Sequence, residues 1–73
     1  MTEVLRQGTP VSWQWGAHTA YGKVEQAFTR TVSRTILGKR IRRKGTAEEP
    51  AYLLRQDDGG RALKSHSELE DER

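Results

Sequence analysis

Few residues in this chain could do chemistry. His18 and His66 are the only histidines, there is no cysteine, and neither histidine has a second ligand at metal-binding spacing. Ser65, His66 and Ser67 put hydroxyls beside an imidazole in sequence, but neighbours along a chain are not a triad. Asp57 and Asp58 open "DDGG", where turn chemistry accounts for both. "GKRIRRKG", residues 38–45, lacks the phosphate-loop pattern and reads as a hairpin rather than a strand-to-helix junction. The expectation is a non-enzymatic chain with no catalytic residue, metal ligand or cofactor.

The strongest remaining constellation is basic. Between Arg30 and Lys44 lie seven cations and no acid, while most acids follow residue 47. Phosphate oxygens suit such a run, because Lys and Arg neutralise them and hydroxyls such as Thr31, Ser33 and Thr35 donate to them. Arg34, Lys39, Arg40, Arg42, Arg43 and Lys44 are the candidate nucleic-acid contacts. The same run also reads as a solvated hairpin whose charges block edge-to-edge aggregation.

These cations need a scaffold, and composition limits what it can be. The chain has 73 residues, 33% hydrophobic and 32% charged, with a net charge of +3. That is one domain at most. Five aromatics (two Trp, two Tyr, one Phe) and about a dozen aliphatics support a small β-barrel with little to spare. The absence of cysteine excludes disulfides and fits a reducing compartment. No apolar run approaches the roughly 20 residues of a membrane span. "MTEVLRQG" lacks the layout of a signal peptide. The expectation is therefore cytoplasmic, monomeric and away from membranes.

Hydrophobic periodicity supplies the elements. Val11, Trp13 and Trp15 alternate with Ser12 and Gln14, which sets the large groups on one strand face. Along residues 19–29 the even positions form the likelier core face, and Gly22 leaves room for a neighbour to approach. A type II′ turn at Gly38-Lys39 would set Ile36 opposite Ile41 and place Arg40, Arg42 and Lys44 on one face. A type I′ turn at Asp58-Gly59 would set Leu54 opposite Leu63. Ser65 and Glu68 have capping-box spacing for one helical turn, with Leu69 as its apolar contact. The fold class that follows is all-β: a five-stranded antiparallel SH3-like barrel with a short C-terminal helical turn. Residues 11, 13, 24, 36, 41, 54 and 63 should fill it. Residues 1–7 read as a flexible arm, 8–69 as the barrel, and 70–73 as a frayed tail.

"GTPVSWQWGAHTAYGKV", "GKRIRRKG" and "EEPAYLLRQDDGGRALKSHSEL", in that order and spacing, resemble the hypervirulence-associated protein Tudor domain family over roughly Gly8 to Leu69. The resemblance implies a Tudor-type barrel and no catalytic residues. Tudor barrels elsewhere hold methylated Lys or Arg by cation–π contact, so it also implies an aromatic mouth. Trp15, Tyr21 and Tyr52 are the candidates, with Asp57 as an acidic helper. Against this, a chain so polar can hardly spare its tryptophans from burial, and Trp13 reads as core. Two partners are left: nucleic acid at the basic hairpin, or alternatively a protein or peptide at the barrel mouth.

Overall fold

The computed structural model describes residues 4–73, so the first part of the expected arm lies outside the described residues. The elements are β1 (Pro10–Trp15), β2 (His18–Phe28), β3 (Val32–Ile36), β4 (Lys39–Arg43), β5 (Ala51–Gln56), β6 (Arg61–Ser65), a 3-10 turn (His66–Glu68) and β7 (Leu69–Asp71). They form a five-stranded sheet in the order β6-β5-β2-β1-β7 and a two-stranded β3–β4 hairpin, antiparallel throughout. The small all-β, SH3-like architecture expected from the sequence is present. Among the described residues it has seven strands rather than five, and they form two sheets rather than one closed sheet.

The core lies on both sides of β5. Ala51, Tyr52, Leu53 and Leu54 are all buried in succession, as happens when a strand is covered on both faces. Tyr52 and Leu54 pack with Leu5, Val11, Trp13 and Val24. Leu53 and Ala51 pack with Phe28, Val32 and Leu63, and Ile36 and Ile41 close over them from the β3–β4 hairpin. Of the seven expected core residues, five are buried and Ile36 and Ile41 are partly buried.

A bulge makes the two-sided core possible. Val24 pairs with Leu54, but Gln26 pairs with Leu53, so Glu25 is the extra residue. The inserted residue flips the alternation. Val24 then faces one cluster and Phe28 the other, although both are even-numbered. The single even-numbered core face is corrected accordingly. Gly22 does meet a close neighbour: a Cβ there would run into the carbonyl oxygen of Arg55.

Two turns sit one residue from their expected places. In β3–β4 the central pair is Leu37-Gly38, with φ of 52° and 76°, a type I′ geometry. Ile36 therefore faces Lys39 and Arg34 faces Ile41, and the expected Ile36–Ile41 pair does not form. In β5–β6 Gln56 pairs with Gly60 across a three-residue loop, with Gly59 at φ 96°. That is a type I turn closed by a left-handed glycine, and it sets Leu53 opposite Leu63 and Leu54 opposite Ala62.

The C-terminal turn forms as a 3-10 turn, with Glu68 Oε1 accepting from the Ser65 N–H at 2.8 Å. The expected frayed tail is corrected. Glu70 and Asp71 pair with β1, and the Glu72 N–H donates to the Pro10 carbonyl. Leu5, expected in a flexible arm, is buried, and its N–H donates to the Tyr52 hydroxyl at 3.1 Å.

Candidate functional site

The β3–β4 register divides the basic run between two faces. Directly opposed residues share a face, so Arg40 lies beside Thr35 and Arg42 beside Ser33 on the outer surface. All four are exposed. Neither arginine forms an ion pair among the described residues. Lys44 follows the end of β4 and is also exposed. The grouping of Arg40 and Arg42 beside hydroxyls thus survives the turn correction, because a two-residue change in pairing preserves the face.

The other three candidate cations turn inward. Arg34 stacks over the Phe28 ring at 5.0 Å, with Arg30 at 5.4 Å. Arg43 Nε meets Glu68 Oε1 at 3.0 Å, and Lys64 Nζ lies 3.7 Å from the other carboxylate oxygen. Burial alone would raise the Glu68 carboxyl. The Ser65 N–H and the Arg43 guanidinium outweigh it and hold the group below the ordinary carboxylate value. Lys39 enters a groove on the inner side of the hairpin.

This groove, of about 690 Å³, runs between the β1–β2, β3–β4 and β5–β6 hairpins. Its apolar lining includes Trp13, Ala20, Ile36, Ile41, Ala62 and Leu63. Trp15 and Leu37 also line it and are 66% and 101% exposed. Sequence reasoning missed Leu37, which looked like a strand residue until the turn moved onto it.

The aromatic mouth does not assemble. Tyr52 is 0% exposed and belongs to the core, with its hydroxyl 2.9 Å from His66 Nδ1. Burial pushes that hydroxyl above the ordinary tyrosine value, opposed by the Leu5 N–H. Tyr21 is exposed but pairs with Ser12, whereas Trp15 shares its face with Trp13. Tyr21 and Trp15 therefore stand on opposite faces of the β1–β2 hairpin. Only Trp15 of the three is a groove residue.

A family model described as hypervirulence associated proteins TUDOR domain matches residues 8–69. The chain belongs to this family. Tudor-type domains are in general non-catalytic binding modules. Searches of the curated proteins and of the solved structures returned no significant match. Among the described residues of this Tudor domain, no group of three His, Cys, Asp or Glu side chains could hold a metal ion. No helix among them is long and apolar enough to cross a membrane.

Proposed function

We propose that this Tudor domain binds an anionic polymer, nucleic acid foremost, through the outer face of the β3–β4 hairpin. The supporting observation is the placement of exposed Arg40 and Arg42 opposite Thr35 and Ser33. Residues two apart on a strand stand roughly 6.8 Å apart, so the guanidiniums form a short stripe rather than one point charge. Neither is neutralised by an acid among the described residues. Flanking hydroxyls can donate to phosphate oxygens. Lys44 extends the positive field at one end. Arg34, Lys39 and Arg43 support the reading less, since ring stacking, the groove and Glu68 occupy them.

A fluorescence-anisotropy titration of labelled oligonucleotides between about 50 and 200 mM salt tests this. Binding should weaken with salt, and replacing Arg40 and Arg42 by alanine should reduce the salt slope by roughly 1 per arginine. Affinity that ignores ionic strength, or no binding at the lowest salt, refutes the reading.

A further inference from the structure

The groove on the opposite side of the same hairpin carries a second inference, independent of the outer face. Four consecutive residues of β6, Arg61 to Lys64, line it. Side chains of a strand alternate between faces, so a groove lined by a consecutive run meets the strand at its edge. Among the described residues β6 is the edge strand of the five-stranded sheet: it pairs with β5 on one side and with no strand on the other. β4 lines the groove through Lys39, Ile41 and Arg43 but makes no ladder with β6. The hairpin strands β3 and β4 pack against part of β6, but the unladdered stretch of its edge that faces this apolar-floored groove is the arrangement that accepts an added strand.

The side chains say which strand. Lys39, Arg43, Arg61 and Lys64 line the groove against a single acid, Asp58. Glu68 engages Arg43 and Lys64, and Glu25 engages Arg61, which leaves Lys39 without an ion pair among the described residues. A methylated lysine would meet the wrong sign of charge here. Carboxylates would meet the right one. Leu37 adds a further sign of use. It holds a left-handed backbone where Asn or Gly would be unstrained, and it exposes its whole side chain at the hairpin tip. Trp15 stands exposed on the opposite hairpin.

We propose that the groove takes an extended protein segment in which apolar side chains alternate with carboxylates. The segment adds as a strand to the unladdered edge of β6. Its apolar side chains lie over Ala62 and Ile41 between Trp15 and Leu37, and a carboxylate reaches Lys39.

The test uses an end-capped hexapeptide alternating Glu with Leu, its Lys-for-Glu counterpart, and an N-methylated form of the first that cannot pair along its backbone. A blue shift of the tryptophan emission reports Trp15, since the Trp13 indole is already shielded from water. The Glu peptide should bind at least about tenfold more tightly than the Lys peptide, blue-shift the emission and move the amide resonances of Arg61–Lys64. N-methylation should abolish this. Leu37→Asn should weaken binding at least about fivefold without lowering the unfolding midpoint, so the loss cannot come from misfolding. Alanine at Arg40 and Arg42 should leave peptide binding unchanged while weakening oligonucleotide binding, which separates this proposal from the preceding one. Equal binding of the two charge forms overturns the inference, as do equal binding of the N-methylated peptide, competition by an oligonucleotide for the groove, or its closure by a second copy of the chain in sedimentation.

Discussion

The buried hydroxyl of Tyr52 lies 2.9 Å from Nδ1 of His66, and the same oxygen accepts the Leu5 N–H at 3.1 Å. One side chain near the start of β5 thus ties down the segment before β1 and the 3-10 turn before β7. With the oxygen accepting from Leu5, the hydroxyl proton is available to Nδ1. The network is fully satisfied when the His66 ring carries its proton on Nε2.

Tyr52→Phe should cost about 1–3 kcal/mol, because it leaves the buried Leu5 N–H without an acceptor. Urea denaturation with an unchanged m-value would register it. Long-range nitrogen–proton NMR correlation should find Nδ1 bare in the parent protein.

The same tyrosine sets an alkaline limit. Burial raises its value above the ordinary 10.0. The folded state therefore holds the proton more tightly than the unfolded chain. The associated stability is complete below about pH 10 and is lost as pH rises through the folded value. Unfolding midpoints measured across that window should fall less steeply in Tyr52→Phe; identical slopes would assign the alkaline loss to other groups.

How much of this was readable beforehand depends on the distance over which each signal acts. Alternation in "VSWQW" placed Val11 and Trp13 inside, because the pattern is local and strict. The capping spacing of Ser65 and Glu68 was legible for the same reason. The turns at Leu37-Gly38 and Asp57–Gly59 were each displaced by one residue. Glycine signals that a turn is near, but whether it takes the first, second or third loop position is decided by packing against Leu53 and Leu63. The Glu25 bulge has no local signature, since it exists to let one strand serve two clusters. Tyr52 looked like a rim aromatic because nothing nearby in sequence reveals that both faces of β5 are covered. The groove was the least legible feature, being assembled from three hairpins far apart in the chain.

Leu37→Asn should stabilise the fold by about 1 kcal/mol, since a left-handed backbone costs an ordinary L-residue roughly 1–2 kcal/mol and Asn tolerates it. Leu37 packs against nothing that offsets this, being fully exposed. Thermal denaturation should show a higher midpoint.

Gly22→Ala should have the opposite effect. The new methyl would collide with the Arg55 carbonyl oxygen and lie 3.0 Å from Gln56 Cα. Both are backbone atoms of the paired β5, so relief requires the two strands to part. A loss of about 3 kcal/mol or more, at the upper end of overpacking costs, is expected in chemical denaturation. A near-neutral result would mean that the β2–β5 ladder can spread.

Glu68 joins the two sheets electrostatically, since Arg43 belongs to β4 and Lys64 to β6. These groups are partly solvated, so a double-mutant cycle between Arg43 and Glu68 should yield no more than about 1 kcal/mol of coupling. Its pH dependence is more telling. The folded carboxyl lies below the ordinary 4.5, so the unfolded chain binds the proton more tightly. The stabilisation is present above about pH 4.5 and is lost as pH falls through the folded value. Glu68→Gln should flatten that acid limb and raise hydrogen exchange in β3–β4 more than in β5, because the hairpin is then tied to the main sheet by the packing of Val32, Ile36 and Ile41 and the stacking of Arg34 on Phe28, with no ion pair between them among the described residues. Equal exchange increases in both sheets would show that the ion pair supports the whole domain rather than the hairpin.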